Sequence, residues 1–289
     1  MKSVLSNLAV IVFLLLLLTV IALLSSRDMV TVGGLTIPLW VLVFAVGSQW
    51  LGFIHAYVWQ TERYYDLIGA ITNIAVISFT VWMVQELDAR SLLLAIFIVL
   101  WALRLGCFLF ARIVADGGDG RFDDIKPNFL RFLLTWTLQG AWVFLIQLCA
   151  ILAISGGSHE PLGFFALLGG IFWLAGMVIE SIADYQKRRF RRDVANQGRF
   201  ISVGLWSLSR HPNYFGEILL WLGIAIVAAP ALSAWMYIGL LSPCFVVFLL
   251  TKVSGIPLLE ARADTRWGSD EDYLRYKATT PVLLPKSPF

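Results

Sequence analysis

Long apolar runs alternate with short polar stretches along the chain. The runs cover about 5–24, 37–58, 67–85, 92–113, 129–154, 162–182, 213–230 and 234–257. Each is close to the ~20 residues an α-helix needs to cross a bilayer. The pattern predicts an all-α polytopic membrane protein, a bundle of eight transmembrane helices, or seven if the runs flanking Pro230 are read differently. The first run follows Lys2, as a signal peptide's would, but no small-x-small cleavage site comes after it. It is read as a retained first helix. No soluble domain and no internal repeat interrupts the series, so residues 1–289 are expected to form a single integral-membrane domain.

Composition supports this reading. The chain is 59% hydrophobic and only 14% charged, whereas a soluble domain is nearer half apolar and a quarter charged. Twelve tryptophans and eight tyrosines suit aromatic belts at two interfaces. A net charge of +3 excludes nucleic acid as an expected partner. Cys107, Cys149 and Cys244 lie in separate apolar runs without C-x-x-C spacing and read as core filler. His55, His159 and His211 are too scattered for a metal site, so no metal is expected.

The placing of the charges says more than their sum. Lys and Arg gather after the fourth run (Arg112, Arg121, Lys126, Arg131), in KRRFRR at 187–192 with Arg199 and Arg210, and in the tail (Arg262, Arg266, Arg275, Lys277). By the positive-inside rule these regions are cytoplasmic. With eight spans both termini then lie in the cytoplasm, in the inner membrane if the source is bacterial.

Several polar residues sit where hydrocarbon would be simpler. In HAYVWQTERYYDLIGAITN, His55, Trp59, Glu62, Asp66, Gly69 and Asn73 recur at helical spacing. Either they form one stripe, or Glu62, Arg63 and Asp66 belong to a turn between the second and third helices. Arg104 lies deep in the fourth run, and an intramembrane arginine is a functional candidate or half of a structural ion pair. ADGGDGRFDDIK (115–126) is a glycine-broken loop, either solvated or able to approach a phosphate. Glu180, Asp184, Arg188 and Arg191 share a helix face. That face stabilises its own helix, binds anionic lipid headgroups, or clamps a nucleotide phosphate. Arg210, His211, Asn213, Tyr214 and Glu217 crowd the start of the seventh run. No G-x-G-x-x-G follows a strand and no P-loop occurs.

Taken together, QTERYYDLIGAITN, LWALRLGCFLFARI, GGDGRFDDIK, QGAWV, ESIADYQKRRF, GLWSLSRHPNYFGEILLW, SGIPLLE and EDYLRYKATTPVLLP resemble the DUF1295 group of the steroid 5-alpha-reductase superfamily, over about residues 55–285. RHPNY alone is less specific, because isoprenylcysteine and phospholipid methyltransferases carry a similar segment. The resemblance implies a membrane reductase in which NADPH, from a cytoplasm-facing cavity, reduces an activated carbon–carbon double bond of a steroid-like or other lipid enone. It implies a cofactor set of Arg104, Asp184, Arg188, Arg191, Arg199, Asn213 and Glu217, with Arg210, His211 and Tyr214 as neighbours. It makes Gln60 and Glu62 the nearest match to a substrate-binding Gln-Glu pair, here split by Thr61. Where the family has a tyrosine this chain has Trp101, whose indole cannot act as a general acid, so Glu62, Tyr64 or Tyr65 is expected to replace it. Desolvation near lipid would raise the pKa of Glu62 and make it a proton donor. The substrate is expected to be apolar and to arrive from the bilayer. Two competing readings are an S-adenosylmethionine-dependent lipid or prenylcysteine methyltransferase and a non-catalytic lipid-binding membrane protein.

Overall fold

A computed structural model describes residues 2–27, 29–84, 86–157 and 160–286. His159 lies outside the described residues. Five long helices come first: α1 (Lys2–Ser25), α2 (Ile37–Val58), α3 (Tyr65–Met83), α4 (Ala89–Asp116) and α5 (Phe129–Ser155). Then follow α6 (Phe164–Arg192), α7 (Pro212–Ala228), α8 (Leu241–Phe248), α9 (Ile256–Trp267) and α10 (Glu271–Thr279). Eight segments are long and apolar enough to cross a membrane, the last running from Ala234 to Trp267. The described residues contain no strand, only an isolated bridge between Val32 and Leu35. The protein is an all-α polytopic membrane protein.

The chain divides into two compact units. The first holds Met1–Phe165 with Val227–Ser242. Its hub is α5, whose residues from Val143 to Ile154 are all buried. Between apolar helices the hydrophobic effect discriminates little, so amide and hydroxyl contacts set the register. Gln49 donates to Thr72 Oγ1 at 2.8 Å, Gln147 to Asn73 Oδ1 at 2.8 Å, and Trp50 to Thr137 Oγ1 at 3.0 Å. These bonds tie α2, α3 and α5 together. Arg90, 3% exposed, gives its guanidinium to three backbone carbonyls, those of Val227 (2.6 Å), Pro161 (2.7 Å) and Glu160 (3.3 Å). It therefore staples the start of α4 to two loop carbonyls and the end of α7.

The second unit holds Ala166–Ile226 and Pro243–Phe289. Here α6 and α7 meet backbone to backbone. A Cβ added to Gly216 would lie 2.7 Å from Glu180 N, and one added to Gly223 would lie 2.6 Å from Gly169 O. Glycines seven apart on each helix (169 and 176, 216 and 223) make this approach possible. α6 continues to Arg192, ten residues past the predicted apolar run, because its polar turns carry acidic residues before basic ones at helical spacing. The last apolar run is irregular. A 3-10 segment (Ala234–Leu240) leads into α8, and a π-turn (Leu249–Val253) separates α8 from α9.

Of the three cysteines only Cys149 is buried; Cys107 and Cys244 are exposed. The core-filler reading is therefore corrected for those two, which sit on outward faces of their helices.

Candidate functional site

The RHPNY segment begins α7. Pro212, with no N–H to satisfy, occupies the first helical position, and Phe215 N bonds back to His211 O at 3.1 Å. Around this start the second unit folds a cavity of about 290 Å³. Its lining carries six cationic side chains, Lys187, Arg191, Arg199, Arg210, Arg262 and Arg266, against one carboxylate, Glu260. Aromatic rings supply much of the remaining wall. Phe200 packs on Tyr273 and Tyr276 with ring centroids 5.4 Å apart in each case, and the Lys187 ammonium lies 4.5 Å from the centre of the Trp206 ring.

One carboxylate organises the inner wall. Glu260, on α9, bonds His211 Nε2 at 2.8 Å and Arg210 Nη2 at 3.3 Å. Burial holds the His211 imidazole below its ordinary pKa; the Glu260 contact opposes this, and Lys187 and Arg210 add to it. The ring is neutral at pH 7, so Nε2–H donates to Glu260 in a hydrogen bond rather than a full ion pair. That tautomer leaves Nδ1 as a buried acceptor with no partner among the described residues. Tyr214 stacks on the same ring at 5.7 Å.

The segment from α10 onward closes the lower side. Tyr276 OH donates to Trp206 O at 2.6 Å, and Tyr273 OH to Asp264 at 2.8 Å. Burial raises the pKa of both phenols, so they remain protonated donors. Residues 281–286 then strap the RHPNY loop: Arg210 N donates to Pro281 O, Ser209 Oγ to Leu283 O, and Lys286 N to Leu208 O.

The lining suits a phosphate-bearing ligand on two observations. The lining charge is strongly positive, and arginine forks match phosphate oxygens. Among the described residues, Arg210 Nε is a buried donor without a partner, and His211 Nδ1 an acceptor in the same state. Unsatisfied buried groups of this kind are costly unless a ligand or water meets them.

Of the residues singled out in the sequence, Arg191, Arg199, Arg210 and His211 line the cavity. Asp184, Asn213 and Glu217 do not. Asn213 Nδ2 lies 3.4 Å from Asp184 Oδ1, a contact between α7 and α6, while Glu217 is buried at 9% exposure. Arg188 is half-buried on α6, and Arg104 is half-buried on α4 in the first unit. Glu260, Arg262, Arg266, Trp206, Tyr273 and Tyr276 were missed. Arg262 and Arg266 were visible as basic residues in the tail, but no spacing in the sequence placed them beside RHPNY.

The proposed catalytic group lies in the first unit and is not assembled there. The stripe from His55 to Asn73 is broken by a turn at 59–64 that holds Glu62 and Arg63, but Glu62 is buried and Asp66 lies in the first turn of α3. Gln60 is exposed, at φ 48°, and bonds Tyr57 O of its own turn. Tyr65 is packed among Phe122, Phe132 and Trp136 and donates to Thr135 O at 3.1 Å. Glu62 accepts from Lys126 Nζ at 2.7 Å and from Asp119 N at 2.8 Å. Burial alone would raise its pKa, but these two donors outweigh it and hold the carboxyl below its ordinary value. The expected rise is thus reversed: Glu62 is a carboxylate that clamps the 117–126 loop. Phe122 anchors the same loop in the core.

A family model, "Protein of unknown function (DUF1295)", matches residues 52–280. The chain belongs to the DUF1295 family. DUF1295 membership covers both RHPNY and the α9–α10 segment that surrounds it. The 3-oxo-5-alpha-steroid 4-dehydrogenase 1 of Rattus norvegicus is 30% identical over 119 residues, 41% of this chain and 40% of that protein. Its Mus musculus counterpart is also 30% identical, over 41% of this chain and 41% of its own length. The probable O-methyltransferase ustE of Ustilaginoidea virens is 28% identical over 108 residues, 32% of this chain and 38% of that protein. The chain thus spans about two fifths of the length of the curated relatives it matches. No solved structure matches.

Proposed function

We propose that this DUF1295 protein is a membrane-embedded reductase that binds NADPH in the cationic cavity of its second unit and reduces an activated carbon–carbon double bond of a steroid-like or other lipid enone. The observation that carries the reading is the six-to-one excess of cationic over acidic side chains in an aromatic-walled cavity. NADPH carries a pyrophosphate and a 2′-phosphate, whereas S-adenosylmethionine, with a sulfonium, an ammonium and one carboxylate, is a net cation that such a lining disfavours. The likeness to steroid dehydrogenases supports the reductase class.

When bound, NADPH supplies the hydride. Arg199, Arg210, Arg262 and Arg266 bind phosphate oxygens. Glu260 holds the Arg210 guanidinium in place from one side while neutral His211 orients Glu260 from the other. Trp206 and Tyr276 give flat faces for the rings. Asp184, Arg188, Asn213, Tyr214 and Glu217 stay in the proposed cofactor set through the family resemblance. The substrate is an apolar molecule drawn from the bilayer, which suits a dry hydride-transfer site.

Glu260 bonded to the histidine of RHPNYFG, together with the O-methyltransferase match, favours a second reading as an S-adenosylmethionine-dependent methyltransferase. Thermal unfolding of the detergent-purified protein separates the two. NADPH at a hundredfold excess over its Kd is expected to stabilise by about 2.7 kcal/mol, and Arg210→Ala and Arg262→Ala to abolish most of that gain. Stabilisation by S-adenosylmethionine and not NADPH would overturn the reductase reading. Binding of neither would leave the lipid-binding alternative.

A further inference from the structure

The last turns of α6 present two registers. The buried one runs Gly169, Trp173, Gly176, Glu180 and Asp184, and seven residues past Glu180 and Asp184 it reaches Lys187 and Arg191, which line the cavity. The opposite register is exposed throughout: Leu167 at 66%, Ile171, Leu174, Val178, Ile182 and Tyr185 at 63%. These residues are spaced by three and four, as one face of a helix requires. The same spacing continues from Tyr185 to Arg189 and then to Arg192, both exposed and neither with a partner among the described residues.

From Leu167 to Tyr185 the helix rises roughly 27 Å at ~1.5 Å per residue, close to the thickness of a bilayer's hydrocarbon core. Tyr185 then falls at the interface, where amphipathic rings concentrate. Arg189 and Arg192 follow one and two turns later, at the depth of lipid phosphates, on the face already turned to lipid. Complementing the helix C-terminus would explain a cation there, but not its placement on the lipid register rather than the cavity register.

We infer that Arg189 and Arg192 form a binding site for the headgroup of an anionic phospholipid, separate from the cavity that Lys187 and Arg191 line. The shared chemistry is a phosphate bound by paired guanidinium groups; the source is the bilayer, because the acyl chains of the same lipid lie along the stripe from Leu167 to Tyr185. The inference does not depend on the reductase reading.

The test uses the full chain in neutral detergent, with lipid retention read by native mass spectrometry. Phosphatidylglycerol is expected to be retained over phosphatidylcholine. Arg189→Gln/Arg192→Gln should lose that preference, at about fivefold per arginine, while Arg189→Lys/Arg192→Lys keeps most of it. Arg192→Gln alone, expected to lose about fivefold, serves if the double variant fails to fold. Equal retention of the two lipids, or retention unchanged in the glutamine variants, would each overturn the site.

Discussion

Glu62 shows how neighbours decide what a carboxylate can do. Surrounded by lipid it would hold a proton; between the Lys126 ammonium and the Asp119 N–H it gives the proton up. A clamp and a proton donor respond differently to Glu62→Gln. As a clamp, Glu62→Gln costs about 2 kcal/mol of stability and speeds proteolysis within 117–126, with the pH profile of turnover unmoved. A proton donor would instead lose at least about a hundredfold in kcat and change that profile. Arg90 is a second residue-scale case. Its three carbonyl acceptors lose their donor in Arg90→Met, and a destabilisation of roughly 3 kcal/mol is expected in detergent melts, most of it from stranded buried carbonyls.

At the scale of elements, the helices were largely readable. Runs of about twenty apolar residues leave little choice, and α2 and α5 fall within a residue of their predicted bounds. What periodicity hid was the pairing of helices. The contact of α6 with α7 rests on four glycines, which look like neutral filler in any hydropathy profile, until the backbones are seen to touch. Gly216→Val should therefore cost about 2–3 kcal/mol through overpacking against Glu180 and Gly176, whereas Gly163→Val, at a position with open space, should be nearly silent in the same melt. The cavity was half legible for a related reason. Arg191, Arg199, Arg210 and His211 stood out because charge beside an apolar run is anomalous. Glu260, Arg262 and Arg266 did not, because charge in a polar tail is ordinary. Their role comes from tertiary packing of α9, about fifty residues further along.

For the molecule as a whole, titration of His211 links folding to pH. The unfolded chain takes up a proton there near its ordinary pKa of about 6.5. The folded chain does so only at lower pH, because burial outweighs the Glu260 contact and Arg210 and Lys187 reinforce it. The contribution to stability is full above about pH 6.5 and declines as pH falls through that value toward the folded pKa. The melting temperature is expected to drop between about pH 7 and 5.5, and His211→Gln to flatten that window.

The strap of residues 281–286 across Ser209 and Arg210 bears on the order of assembly during synthesis. The ribosome makes α10 and this strap only after the last apolar segment, Ala234–Trp267, has been synthesised. Completion of the cavity is therefore the final step of synthesis. A chain halted after Trp267 would contain all eight apolar segments, yet lack Tyr273, Tyr276 and the carbonyls of Pro281 and Leu283 that fix the RHPNY loop.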